Sequence, residues 1–517
     1  MFQGRRLSRL VAALLFVAAL GSPTSAQIGL TASWLPKLDP FLQRRVSMLT
    51  GRSRVIARVT SVASLPLVRA LVIQLGGTIG RSLPIIGAVS ADLPNAALPL
   101  VAANPLVAHV SLDRAIAGAM ERTGTTVGAT AVREESGYDG AGIGIAIIDS
   151  GVTSWHDDLG DASTGRQRVD RFVDFVNERQ APYDDYGHGT HVAGIIAGNG
   201  LDSSGRRSGI APGSHVIALK VLDGQGRGRI SDVIAALDYV VSNKDALNIR
   251  IANLSVATGV YESYNADPLT LAARSAFDAG IVIVAAAGNN GRDRDGHTQY
   301  GGITAPGNAP WVLTVGASSH MGTIDRADDT IAAFSSRGPT AIDRHIKPDL
   351  VAPGVGIESL SDPDSAFYSA KSPYLLSGTV ATSYLPYLSL SGTSMAAPVV
   401  TGTVALMLQA NPSLTPSQVK TILRRTAESR QYDRLTQGAG FLDARSAVRL
   451  ARQTLSAPEL FIPWLSGVLF GESDEGTVSS TSDDDGSVVW GTDDDEGVVW
   501  GTTCSDPSCE PVVWGQP

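Results

Sequence analysis

Residues 143–151 read Ile-Gly-Ile-Ala-Ile-Ile-Asp-Ser-Gly, a continuous apolar run that ends in a carboxylate and a turn. A continuous run, as opposed to an alternating one, is typical of a strand that is buried on both faces. Helical patterns separate this run from four similar ones, at residues 216–221, 249–254, 281–287 and 311–315. We therefore predict an α/β fold, a doubly wound and mostly parallel sheet flanked by helices.

Composition and charge narrow the function classes. The 517 residues are 43% hydrophobic and 18% charged, so most of the chain is able to bury a core. The formal net charge of −9 is uneven, because the stretch after residue 452 has 13 acidic and no basic residues, which leaves +4 for residues 1–452. This balance does not indicate a nucleic-acid partner.

The first 26 residues have the pattern of a secretory signal. An apolar run at residues 10–20 follows Arg5, Arg6 and Arg9, and a small-residue cleavage pattern ends at Ala26. The run is too short for a membrane span, so we expect a secreted, extracellular or periplasmic protein. The alternative is an amphipathic helix of the mature fold.

Two further units flank the main one, which we place at residues 121–455. Residues 27–120 are predicted to form a small ferredoxin-like α+β unit in the order β-α-β-(β)-α-β. Residues 456–517 are an acidic tail in which residues 483–492 recur as 493–502. The tail is either flexible or a small element that folds on an unknown partner.

The tail also holds Cys504 and Cys509. We expect them to form a small disulfide in an oxidising compartment.

Two motifs carry side chains that are used in nucleophilic catalysis. Residues 187–194 read Gly-His-Gly-Thr-His-Val-Ala-Gly, and residues 390–398 read Leu-Ser-Gly-Thr-Ser-Met-Ala-Ala-Pro before an apolar helix. Ser394 precedes the apolar helix, and free backbone N–H groups at a helix start can stabilise an oxyanion that develops beside its hydroxyl. Helix capping is the alternative role of this serine. Pro398 predicts that this position lies in the first turn. His188 alone is more often structural, and His191 is expected to pack or cap.

Two more polar side chains follow buried strands. Asp149 lies where doubly wound sheets bind their ligands, although Asp-Ser-Gly alone indicates a turn. Asn289 lies in Gly-Asn-Asn-Gly after the run at 281–287, where its amide can donate to an oxyanion or simply form a turn.

Taken together, these motifs occur in the order Asp149, His188, Asn289, Ser394, and the chain resembles the subtilisin-like serine proteases, the subtilases. The resemblance covers about residues 140–452 and implies a secreted serine endopeptidase that acts on polypeptides. It makes Ser394 the nucleophile, His188 the general base and Asp149 its orienting group. Asn289 and the Ser394 N–H would form the oxyanion hole.

The resemblance also assigns roles outside the catalytic residues. It implies that residues 27–120 are a propeptide that assists folding and inhibits the enzyme until cleavage between Asp113 and Gly128. No cofactor is expected for catalysis. Structural calcium is common in subtilases, and the oxygens of Asp202 or of the 293–295 loop would suit it, although solvated carboxylates are the simpler interpretation. We assign no metal ligand.

Substrate binding in this family uses an extended strand, which here corresponds to Ser255, Val256 and Ala257. With Ala286, Ala287 and Gly288 it would form the walls of the pocket for the side chain before the scissile bond. These walls contain no acid, so we expect an apolar preference. The family usually has Gly in place of Ala257, and the added methyl group would narrow the pocket.

A long stretch at residues 359–389 precedes the Ser394 motif. It is longer than in the smallest family members and carries several aromatic residues: Phe367, Tyr368, Tyr374, Tyr384 and Tyr387. The sequence supports an ordered flap beside the cleft and a packed surface loop equally.

A second function class also fits part of the sequence. In it, the protein processes only itself and displays the acidic tail to a partner at a surface.

Overall fold

The computed structural model describes residues 33–46, 50–113, 115–118, 126–161, 164–293, 295–321, 326 and 329–455. The predicted signal, the acidic tail and its two cysteines lie outside these residues. The expectations about them stay predictions.

The N-terminal unit is an antiparallel sheet with helices. Its sheet order is β2-β3-β1-β4, which confirms the predicted β-α-β-(β)-α-β arrangement. The edge strand β2 had no clear sequence signal because most of its residues are exposed or half-buried. In chain order the elements are α1 (Pro40–Arg45), β1 (Arg52–Val59), α2 (Leu65–Gln74), β2 (Thr78–Leu83), β3 (Ala88–Pro94), α3 (Leu98–Ala103) and β4 (Val107–Leu112).

The rest of the described chain alternates strands and helices. The elements in chain order are β5 (Ala115–Gly118), α4 (Ala129–Ser136), β6 (Gly144–Asp149), β7 (Val169–Asp174), α5 (His188–Ala197), β8 (His215–Lys220), β9 (Arg227–Arg229), α6 (Ile230–Asn243), β10 (Ile249–Leu254), β11 (Val256–Ala257), α7 (Pro268–Asp278), β12 (Val282–Ala286), β13 (Leu313–Ser319), β14 (Thr330–Ile331), β15 (Leu350–Val355), β16 (Ile357–Leu360), α8 (Ala366–Ala370), β17 (Leu375–Leu376), β18 (Tyr387–Leu390), α9 (Thr393–Ala410), α10 (Pro416–Thr426), α11 (Arg434–Gln437) and α12 (Ala444–Leu455).

The main sheet has the order β14-β13-β12-β10-β6-β8-β7, and β15 also pairs with β13. All neighbouring pairs are parallel except β13 with β14. β7 and β8 lie on one side of β6, whereas the later strands β10, β12 and β13 lie on the other, so the sheet is doubly wound as predicted. Asp149, the last residue of β6, therefore lies at the point where the strand order reverses, which is where such sheets bind ligands.

Both faces of the sheet are covered by helices. Along β6, Ile145 and Ile147 face a core formed with α5, α9 and α12, whereas Ala146 and Ile148 face a core formed with α6 and α7. This two-sided burial is the physical reason for the continuous apolar run. Among the described residues, the helix α9 is long and apolar enough to cross a membrane, but 94% of it is buried inside this core.

The N-terminal unit is packed against α6 and α7. Ile56, Leu83 and Ala88 belong to the same buried cluster as the inner faces of these two helices. Polar contacts surround this apolar contact. Arg81 Nε lies 2.6 Å from Asp232 Oδ1, and Glu262 accepts from Ser111 Oγ at 2.9 Å and lies 2.6 Å from His109 Nε2.

Candidate active site

Asp149 and His188 meet at the carboxyl edge of the main sheet. His188 Nδ1 lies 2.7 Å from Asp149 Oδ1, and both side chains are fully buried. The close approach depends on Gly189, because a Cβ there would overlap the carbonyl oxygen of Gly151. The sequence motifs around Asp149 and His188 are thus explained by one contact between the end of β6 and the start of α5.

The turn before His188 is held by a buried carboxylate. Asp184 accepts hydrogen bonds from Ser150 Oγ, Gly187 N and Thr190 N, each at 2.8 Å. Burial raises the pKa of Asp184. Gly187 precedes α5 with φ of +97°, a left-handed conformation that favours glycine. This network fixes the backbone from which the His188 side chain extends.

Ser394 is the second residue of α9, and Gly392 is the N-cap, so Ser394 does not cap the helix. The expectation for Pro398 was wrong, because it is the sixth residue and lies beyond the first turn. A proline there leaves the carbonyl of Ser394 without its usual helical N–H donor. Ser255 Oγ donates to that carbonyl at 2.8 Å instead. The Ser394 hydroxyl in turn donates to Ser255 O at 3.2 Å.

Asn289 lies next to the Ser394 segment. Its Oδ1 accepts hydrogen bonds from the backbone N–H and the hydroxyl of Thr393, both at 3.0 Å. Because an amide has one acceptor end and one donor end, this contact leaves Nδ2 as the group that Asn289 can offer to a bound oxygen.

The strand predicted to bind substrate is paired with a segment of this same chain. β5 lies antiparallel between β9 and β11, with Ala117 opposite Ala257 and Gly118 opposite Val256. The β5 chain thus advances toward Ser255, whose carbonyl accepts from the Ser394 hydroxyl. The direction of β5, from Ala117 opposite Ala257 to Gly118 opposite Val256, therefore points along the chain toward the residue that accepts from the candidate nucleophile.

The proposed pocket walls lie beside this strand. Ala286 and Ala287 are buried at the end of β12, and Gly288 follows with φ of +100°. A Cβ at Gly288 would lie 2.7 Å from Thr304 Cγ2, and Thr304 Oγ1 donates to Ala287 O at 3.2 Å, so the Thr304 side chain packs directly against the proposed wall. Thr304 was not predictable from the sequence, because an isolated threonine in a Gly-rich loop carries no signal.

His191 has a structural contact. Its Nε2 lies 2.9 Å from the carbonyl oxygen of Leu388, which ties α5 to β18. This matches the expected packing role.

The calcium candidates differ in burial. Asp202 is buried beside His156 and Asp158, with potential ligand atoms within 4.8 Å of one another, whereas Asp293, Asp295 and His297 are an exposed group.

The Asp202 group has acceptor capacity that protein contacts do not use. Asp202 Oδ2 has no hydrogen-bond partner within the described part of the chain. Burial and the carboxylates of Asp158 and Asp157 raise the pKa of Asp202 to about 6. His156 is already engaged, because its Nδ1 accepts from Asp158 N and its Nε2 lies 3.2 Å from Pro386 O. Asp158 Oδ1 accepts from Asp202 N and Oδ2 from the Tyr387 hydroxyl, but each carboxylate oxygen keeps a second lone pair. The oxygens of Asp158 and Asp202 therefore suit a hard cation better than the engaged imidazole suits a softer one.

The fold and site define an α/β protein class with an aspartate–histidine pair and a helix-borne serine at the switch point of a doubly wound sheet. The chain belongs to the subtilase family, whose model matches residues 140–441. It is a subtilisin-like serine endopeptidase, as its named relatives also indicate.

Three similar proteins illustrate the relationship. Serine protease AprX of Bacillus subtilis (strain 168) is 39% identical over 323 residues, which is 61% of this chain and 68% of that protein. Subtilisin E of the same strain is 31% identical over 359 residues, or 68% of this chain and 79% of that protein. The crystal structure of fervidolysin from Fervidobacterium pennivorans, a keratinolytic enzyme related to subtilisin, matches with a TM-score of 0.59 at 22% identity. The match covers 77% of this chain and 61% of the fervidolysin chain, and it shows a shared fold.

Proposed function

We propose that this protein is a secreted serine endopeptidase that is activated by cleavage of its own N-terminal unit. The Asp149–His188 contact of 2.7 Å at the switch point carries the assignment of the catalytic residues. Subtilases need no cofactor for catalysis, and the reaction follows from three side chains and an oxyanion site.

The reaction begins with the Ser394 hydroxyl. His188 accepts its proton as Oγ attacks the scissile carbonyl, and the protonated imidazole then passes that proton to the leaving amine. Asp149, at Nδ1, fixes the tautomer and stabilises the imidazolium. Water activated by His188 next hydrolyses the acyl-enzyme and regenerates the Ser394 hydroxyl. For the first step, that hydroxyl must turn from Ser255 O toward the imidazole.

The developing oxyanion is stabilised by two donors, Asn289 Nδ2 and the backbone N–H of Ser394. Thr393 supports this role because it holds the acceptor end of the Asn289 amide. A donor fixed in place before the reaction costs no reorganisation in the transition state.

The N-terminal unit, residues 27–120, is proposed as the inhibitor. Its last described segment, β5, occupies the antiparallel position that a substrate strand would take between β9 and β11. Asp113, just before β5, accepts a hydrogen bond from Ser231 N at 3.1 Å in the first turn of α6. Since β5 runs toward Ser394, the cleaved bond should lie after Gly118 and before Gly128.

The substrate preference is proposed to be apolar and small before the scissile bond. The side chains around the pocket are Ala257, Ala286, Ala287 and Thr304, which carry no charge. The polypeptide backbone itself is recognised by strand addition to Ser255–Ala257, which is largely independent of side chains.

A structural calcium ion is proposed at Asp158 and Asp202. We expect Ca²⁺ to raise the melting temperature, because a ligand present at 100 times its Kd stabilises the folded state by about 2.7 kcal/mol. Asp202→Asn should abolish the shift measured by calorimetry, and the control Asp295→Asn in the exposed group should keep it. A shift that survives in Asp202→Asn and is lost in Asp295→Asn would move the ion to the 293–295 loop.

One experiment separates the protease from a protein that only processes itself. The matured protein should cleave unfolded casein and be labelled at Ser394 by a serine-reactive phosphonate. Labelling without casein cleavage would favour the function limited to self-processing. The proposed display of the tail rests on residues outside the described structure, so no contact supports it.

A further inference from the structure

The segment between β16 and β18, residues 361–386, is here named the insertion. Ser361 closes its base, since its backbone N–H donates to Pro386 O at 3.0 Å and its hydroxyl donates to Leu385 O at 2.5 Å. β18 then leads within four residues to Ser394. The insertion is therefore ordered and tethered directly to the nucleophile segment, which favours the flap over an independent surface loop.

The insertion is also hydrogen-bonded to the backbone that carries the catalytic histidine. Ala366 N donates to Asp185 O at 2.9 Å, and Phe367 N donates to Tyr186 O at 3.1 Å. These two donors are the first N–H groups of α8, which have no partner within their own helix. The contact is close, because a Cβ at Gly187 would lie 2.5 Å from Ser365 Oγ. The start of α8 thus holds the turn immediately before His188.

Phe367 extends from this contact to the catalytic imidazole. It is 4% exposed, its ring centroid lies 4.3 Å from that of Tyr186, and it meets the His188 ring at 6.3 Å and 82°. The Tyr186 ring lies 6.4 Å from the same imidazole. Tilted and edge-to-face pairs at these separations are favourable arrangements of aromatic rings.

A hydrogen bond and aromatic packing both act on the imidazole. Asp149 binds the Nδ1 edge through a directional hydrogen bond, which restrains the position of that edge more than the tilt of the ring. Aromatic rings packed beside the imidazole restrict this tilt, because tilting the ring would press it into Phe367 or open a gap beside it. Phe367 is buried, so its effect on catalysis would be exerted through His188 and not by contact with the substrate.

We propose that Phe367 is a positioning residue that holds the His188 imidazole in its reactive orientation, and that the insertion serves to deliver it. This inference rests on the proposed role of His188 as general base. A small loss of orientation at a reacting group lowers the rate of the chemical step while leaving substrate binding nearly intact.

The test compares Phe367→Ala and Phe367→Leu in the matured enzyme. Phe367→Ala should lower kcat about tenfold with KM within about twofold of wild type. Leucine nearly conserves the buried volume, so Phe367→Leu should restore most of kcat. The matched control is Tyr368→Phe, which removes the hydrogen bond from Leu385 N to the Tyr368 hydroxyl elsewhere in the insertion and should leave kcat unchanged.

A spectroscopic readout makes the result independent of turnover. The proton between His188 Nδ1 and Asp149 Oδ1 is expected to give a downfield NMR resonance. This resonance should broaden or shift in Phe367→Ala and recover in Phe367→Leu. An unchanged resonance together with unchanged kcat would overturn the proposal, and so would a raised KM at constant kcat, which would make Phe367 part of a binding wall. Failure of the proposed function would instead appear as an inactive wild type, and the resonance would still decide the role of Phe367.

Discussion

Replacing Ser394 with alanine should abolish peptide hydrolysis. In the proposed mechanism Ser394 Oγ forms the covalent bond to the substrate. Without it, the site retains only substrate binding and stabilisation of the oxyanion. In subtilisin, a member of the same family, loss of this serine lowers kcat by about 10⁶-fold, and we expect a loss of that order. Initial rates on a chromogenic peptide, with phosphonate labelling in parallel, measure it.

The fold of this variant should persist. Ser394 does not cap α9, and its hydroxyl donates to Ser255 O among the described residues, so the cost in unfolding free energy should be about 1 kcal/mol. Ser391→Ala, three residues earlier on the same segment, is the matched control and should keep full activity. Hydrolysis by Ser394→Ala at more than a tenth of the wild-type rate would remove Ser394 as the nucleophile.

Replacing Asn289 with alanine should lower kcat far more than it changes KM. The amide is proposed to bond mainly to the oxyanion of the transition state, so the ground-state complex loses little. The corresponding donor in subtilisin is worth about 10²–10³ in kcat, and that magnitude is taken over from the relative.

The neighbouring residue supplies the control for this experiment. Asn290 Nδ2 donates to Gly302 O at 3.2 Å and is half-buried like Asn289, so Asn290→Ala tests the loss of an amide in the same loop. Steady-state kinetics of both variants should show a large fall in kcat for Asn289→Ala alone. Equal effects would indicate that the loop, and not the oxyanion donor, had been disturbed.

The parallel sheet was predictable because its central strands are buried on both faces. β6, β8, β10, β12 and β13 all appear as short apolar runs in the sequence. β7 escaped because exposed Asp170 and Arg171 interrupt it, and β15 because it contains Pro353 and Gly354, which indicate a turn. The apolar pattern thus identifies the central strands of this sheet better than it identifies strands that contain polar or turn-forming residues.

The candidate site was predictable where one short motif carries the chemistry. Asp149, His188 and Asn289 each have a glycine within two residues in the sequence, and glycine allows close approach of the backbone. Contacts between distant segments were not predictable. Thr304 reaches the site from a loop and Phe367 from α8, and the position of each depends on the completed fold. The sequence singled out Phe367 only as one of several aromatic residues in the 359–389 stretch, and no local pattern marks Thr304.

The position of β5 could likewise not be predicted from the sequence. Its pairing with β9 and β11 joins segments more than 100 residues apart. From the sequence, an inhibitory role for the N-terminal unit followed only from the family resemblance. The register of β5 against β11 adds a direction of approach toward Ser394.

Self-activation through Ser394 is tested most directly by intact-mass spectrometry of wild type and Ser394→Ala, both produced in a host without extracellular proteases. Wild type is expected to acquire a new N-terminus after Gly118 and no later than Gly128. Ser394→Ala should retain the N-terminal unit and lose only residues 1–26. A Ser394→Ala protein that is cut at the wild-type position would contradict self-activation, because another protease would then perform the cleavage.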